Sequence, residues 1–175
     1  MQPNLDNLKK KIEENRDLID RIRLKLPGFK GYVEKAEAYD ADKLIRSLIV
    51  DRLKSMKGEV TGAMVELEKK EVRRFHAEFE SLINKIEAFI RKCEYTDFGS
   101  SASLSGIALS EDDRNRLLEY DWRLISGLDE LETETKNLRS SSQDAAGDVI
   151  AVFSGKLRQF EERFNERKNV ILEVL

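Results

Sequence analysis

The stretch "LDNLKKKIEENRDLIDRIRLKLPGFKGY", residues 5–32, decides the fold. Leu5, Leu8, Ile12, Asn15, Ile19, Ile22 and Leu26 follow one another at alternating steps of three and four. That spacing is a heptad seam, and charged residues fill the positions between. A helix with such a stripe needs other helices to cover it. The stripe ends at Pro27, which lacks the N–H and clashes with the preceding turn. Gly28 can take the left-handed backbone that closes a helix C-terminus. Residues 26–32 therefore read as a corner into a second helix, with Phe29 and Tyr32 covering its end.

Outward from the corner, the second helix is expected over about 32–57. Ala36, Ala41, Leu44, Ile45, Leu48, Ile49 and Met56 form its apolar face. "KGEVTG" (57–62) holds two glycines and reads as a break, with one continuous helix as the alternative. A third helix follows to 95, through Val72, Phe75, Phe79, Leu82, Ile86, Phe89 and Cys93. Val60, Met64 and Leu67 are out of phase with that seam, so the face must rotate or the helix bend near 68–71. "YTDFGSSASLSGIALS" (95–110) is rich in serine and holds no basic residue, the composition of a loop. "SEDD" (110–113) is a helix start, with a capping serine and acids that oppose the helix dipole. The fourth helix carries Leu117, Leu124, Leu128, Leu131 and Leu138 to about 139. After the turn "RSSSQD" (139–144), the fifth carries Val149, Phe153, Leu157, Phe160, Phe164, Ile171 and Val174 to the end.

The expected fold is all-α: an elongated up-and-down bundle of four to five long helices with coiled-coil character. Residues 1–175 make one helical domain, with helices 1–3 over 1–95, the loop over 96–110 and helices 4–5 over 111–175.

Composition narrows the function classes. Hydrophobic residues make up 40% of the 175 and charged residues 37%, with a net charge of −3. That balance argues against nucleic acid as the main partner, because phosphate-backbone binding needs a basic surplus. Residues 1–60 carry 14 basic and 11 acidic side chains, and residues 96–139 carry 5 and 10, so the two regions suit each other electrostatically. Cys93 is the only cysteine, which excludes an intrachain disulfide and a CxxC metal site; its place on the seam predicts a buried packing thiol. The apolar run "VIAVF" (149–153) is far short of the ~20 residues that cross a bilayer. No membrane insertion and a cytoplasmic location are expected.

Catalytic signals are missing from the sequence. His76 is the only histidine, and no Glu-x-x-His pair accompanies it. "GSSASLSG" lacks the Lys-Ser/Thr ending of a phosphate loop, and no serine sits in a nucleophile elbow. A non-enzymatic protein without metal or cofactor is expected. Asp40 and Asp42 are two apart and diverge on a helix, so solvated ion pairing is their expected role, with Arg46 four residues after Asp42.

Two functions remain in view. In the first, helix faces bind a second copy of the chain or a helical protein partner. The candidate seam is Ile12, Asn15 and Ile19 in helix 1 with Ile171 and Val174 in helix 5. Asn15 is the polar residue that could fix register. In the second, Lys30, Gly31 and Tyr32 form an anion or small-ligand site beside the free N–H groups that open helix 2.

The stretch "PGFKGYVEKAEAYDADKLIR" (27–46) resembles a segment of uncharacterised prokaryotic helical proteins. In them a Pro-Gly-aromatic-Lys/Arg-Gly-Tyr corner leads into a helix with Ala-Asp-Lys-Leu. The matching positions are Pro27, Gly28, Phe29, Lys30, Gly31, Tyr32, Ala41, Asp42, Lys43, Leu44 and Arg46. The resemblance covers about 20 residues, implies a helical fold, and implies no activity.

Overall fold

The structure is a computed structural model that describes residues 5–33, 35–69, 73–96 and 106–174, and side chains from residue 10 onward except those of 11, 12 and 15. It is an all-α helical bundle of five helices: α1 (Leu5–Lys25), α2 (Lys35–Lys69), α3 (His76–Tyr95), α4 (Glu111–Ser140) and α5 (Ala146–Val174). No helix among the described residues is long and apolar enough to cross a membrane.

The expected break at 57–62 is not there. α2 runs unbroken for 35 residues and carries Gly58 and Gly62 in its interior. Each glycine costs a helix about 1 kcal/mol relative to alanine. Against that, Leu53, Met56, Val60, Ala63 and Leu67 are all buried, at the steps of three and four that keep one stripe on one side. Burial of that stripe outweighs two poor helix formers. The interruption falls instead between Lys69 and His76, next to the place where the apolar phase shifts.

The helices form two compact units. Unit 1 comprises Met1–Ile45, Phe98–Ile125 and Arg167–Leu175; unit 2 comprises Arg46–Asp97 and Ser126–Glu166. Each therefore draws on chain from both sides of the 96–110 loop, because α2, α4 and α5 each contribute to both.

Unit 2 has an aromatic centre. Phe89 of α3 meets Phe160 and Phe164 of α5 edge to face, with ring centroids 5.8 and 5.4 Å apart. Cys93 is fully buried, as its seam position predicts. In unit 1, Ile22 and Leu26 of α1 are buried with Phe29, Tyr32, Leu117, Leu118 and Ile171. Residues 106–110, which lead into α4, are docked there. Lys35 N donates to Ile107 O at 2.7 Å, and Leu109 N donates to Val33 O at 3.1 Å, an antiparallel pairing that fixes the approach to α4. Ser110 caps α4 by accepting from Asp113 N at 3.1 Å.

Candidate functional site

The corner after α1 is built as its composition predicts. Gly28 and Gly31 have φ of +92° and +98°, a backbone that side chains beyond glycine rarely adopt. Phe29 and Tyr32 are 3% and 2% exposed and touch edge to face at 5.4 Å. Arg23, one turn back on α1, locks the turn: its Nε donates to Phe29 O at 3.0 Å and its Nη2 to Lys30 O at 3.3 Å. Its Nη1 also pairs with Asp20 at 3.6 Å.

The corner is also the floor of a cleft. A cavity of about 400 Å³ opens between one face of α1, the corner and the first turns of α4. Arg16, Ile19, Asp20 and Arg23 supply the α1 wall, spaced so that they share a face. Glu111, Arg114, Asn115 and Leu118 supply the α4 wall with the same spacing. Lys30, Gly31, Tyr32 and Val33 close the bottom. Lys30, Gly31 and Tyr32 thus share one cleft. The walls come from α1 and α4, however, and not from the N–H groups that open helix 2. The side chains of Arg16, Lys30 and Arg114 pair with no described residue. Ile19, Val33 and Leu118 give the cavity an apolar side.

Tyr32 connects this cleft to a buried ionic cluster. Its hydroxyl donates to Asp121 Oδ2. Arg167 of α5 donates from Nε to Asp121 Oδ1 at 2.6 Å and from Nη2 to Asp121 Oδ2 at 3.4 Å. The Nη1 group of Arg167 donates to Asp42 Oδ1. Arg167, Asp42 and Asp121 are 1%, 2% and 0% exposed. Asp42 is therefore not the solvated surface acid expected from "YDAD"; its neighbour Asp40 is the exposed one. Two carboxylates face one guanidinium. Burial pushes the Asp121 carboxyl above its ordinary value, and the opposing charge of Arg167 does not cancel that. Burial also pulls Arg167 down, but the carboxylates of Asp121 and Asp42 outweigh it, and the guanidinium stays charged.

Asp121 and Arg167 escape sequence reading, and Asp42 reads as solvated, although a signal for all three exists. The α4 seam steps from Leu117 to Leu124 over a gap that Asp121 fills in register. Phe164 and Ile171 flank Arg167 on α5 in the same way, and Ala38 and Ile45 flank Asp42 on α2. A charge standing in register on an apolar stripe marks a buried, paired charge.

The helix-face candidates divide. The side chains of Ile12 and Asn15 lie outside the described residues. Ile19 is half-buried and lines the cleft. Ile171 and Val174 are 0% and 6% exposed, because the chain's own unit 1 covers them. Beside them on α5, Leu172 is 52% exposed. His76 contacts Glu68 and lies 3.3 Å from Glu80. Among the described residues no group of His, Cys, Asp and Glu is placed to hold a metal ion.

Comparison of the chain with protein-family models, with curated proteins and with solved structures finds no match.

Proposed function

We propose that the protein is a non-enzymatic cytoplasmic binding module that holds a small organic anion in the cleft at the corner of α1. The observation that carries this reading is the set of three cations, Arg16, Lys30 and Arg114, that pair with no described residue and stand around one partly apolar cavity. Unpaired cations on an open surface are ordinary. Cations brought from three different elements to one cavity of ligand size, with Ile19, Val33 and Leu118 beside them, make a place for a charged head on an apolar body. The buried cluster behind Tyr32 ties α4 to α2 and α5 and so presets the α4 wall.

A thermal-shift series tests the reading. Ligands that bind only the folded state raise its melting temperature by mass action. Phenyl phosphate and benzoate are expected to raise it in the parent, and phenethylamine, a cation of similar size, is not. Arg114→Glu should remove the anion response. Equal responses to anion and cation, or an undiminished anion response in Arg114→Glu, refute the assignment.

A second reading is self-association, or a coiled-coil contact with a helical partner, through α1. Leu24 favours it, standing 84% exposed on that helix. Sedimentation over a range of concentrations, with Leu24→Glu as the probe, tests it; a concentration-independent monomer removes it.

A further inference from the structure

The charges around the cleft do not cancel, and the remainder specifies the ligand. Six ionised side chains among the described residues line it: Arg16, Asp20, Arg23, Lys30, Glu111 and Arg114. Arg23 is committed to the carbonyls of Phe29 and Lys30 and to Asp20, so that acid and base cancel within the wall. Glu111 offsets one of the remaining three cations. Among the described residues a surplus of two positive charges is left, borne by two arginines and a lysine that pair with no described residue.

We infer that the cleft recognises a phosphate monoester in its doubly charged form, carried on a compact apolar or aromatic body. The inference rests on the anion-binding reading above and names the ligand class for that same site. A phosphate monoester carries close to two negative charges at neutral pH and presents three acceptor oxygens. A carboxylate carries one charge and two oxygens. Three cations on α1, α4 and the corner suit three oxygens better than two, and guanidinium forks match phosphate in particular. Ile19, Val33 and Leu118 then receive the body of the ester. A cavity of about 400 Å³ lies near the lower end of the range for small-molecule sites, which suits a single ring or a short chain. A phosphorylated tyrosine of another protein would present the same ring and head, and titration with a phosphotyrosine peptide separates it from a free ester.

The test is calorimetric titration of the full chain with five probes: phenyl phosphate, phenyl sulfate, benzoate, inorganic phosphate and a short peptide carrying phosphotyrosine. Phenyl sulfate keeps the ring and the tetrahedral head but has one charge. Phenyl phosphate should bind at least about tenfold tighter than phenyl sulfate, benzoate or inorganic phosphate, since a second charge and an apolar body each add to affinity. Its advantage over phenyl sulfate should shrink as the pH falls from about 7.5 to about 5, through the second phosphate pKa near 6. Lys30→Gln should lower phenyl phosphate affinity and leave the melting temperature alone. Equal affinity for phenyl sulfate and phenyl phosphate overturns the ester class while leaving an anion site standing. Peptide affinity tenfold above that of phenyl phosphate overturns the small-molecule assignment. Absence of heat with every probe overturns both the class and the site.

Discussion

The Nε of Arg167 donates to Oδ1 of Asp121 at 2.6 Å, and neither side chain is more than 1% exposed. One link thus joins α5 to α4 inside unit 1. The guanidinium also reaches Asp42 on α2, so a single charge satisfies two buried acids from two helices. Removing one member of such a buried set costs more than its pairing ever contributed, because the others lose their opposing charge.

Arg167→Met should therefore destabilise the protein by about 3–5 kcal/mol in urea unfolding. The triple variant Arg167→Met, Asp42→Asn, Asp121→Asn should recover a large part of that loss, since the stranded charges are gone. A triple variant as unstable as Arg167→Met would show that packing, not charge, sets the cost.

The pH dependence of the cluster has a definite sign. The folded-state pKa of Asp121 is raised above its ordinary value of 3.8 by burial. Between those two values the folded state holds a proton that the unfolded state has released, so the group's contribution to stability falls as pH rises. Asp121→Asn cannot titrate. Measured by urea unfolding from about pH 4 upward, the stability difference should move in the variant's favour with rising pH. Movement the other way would place the carboxyl below its ordinary value.

The glycines of the helix interiors should respond in opposite directions. Nothing lies within 4 Å of a Cβ built on Gly58 or Gly62. Gly58→Ala and Gly62→Ala should each stabilise by about 0.5–1 kcal/mol, as alanine does in a helix with room for it. At Gly127 the added carbon would sit 2.9 Å from the buried ring of Phe160. Gly127→Ala should lose about 1–3 kcal/mol through overpacking. Thermal melts of the three variants decide it; a loss at Gly58 or Gly62 would mean that α2 is not an uninterrupted helix there.

Much of this architecture is legible in the sequence, and the reasons are local. The seam of α1, the Pro27–Gly28 stop, the Ser110 cap and the aromatic spacing of α5 are all nearest-neighbour signals. The α2–α3 boundary is not, because Gly58 and Gly62 speak for a break only until the buried stripe through Met56, Val60 and Ala63 is weighed. The cleft is less legible still. Lys30, Gly31 and Tyr32 sit together in the chain, but Arg114 and Leu118 arrive from a helix some 80 residues later. The docking of Val33 and Lys35 against Ile107 and Leu109, with the bond from Tyr32 to Asp121, brings them near. Asp121 and Arg167 likewise find each other across 46 residues.

The corner's structural and binding roles should separate by mutation. Gly31→Val forces a branched side chain onto a φ of +98°, and should cost about 1–3 kcal/mol. Lys30 is exposed and its side chain pairs with no described residue, so Lys30→Ala should leave the unfolding midpoint in place. A large loss from Lys30→Ala would give that side chain a structural task that its surroundings do not show.

The most direct test of the cleft is a titration of isotope-labelled protein with phenyl phosphate, followed by backbone amide resonances. Binding in the cleft should shift the amides of Arg16, Ile19, Gly31, Val33, Arg114 and Leu118 along one saturating curve, and leave those of Phe89, Phe160 and the rest of unit 2 unmoved. Saturable shifts centred on unit 2, or no shifts at millimolar ligand, would contradict the assignment of this cleft as the functional site.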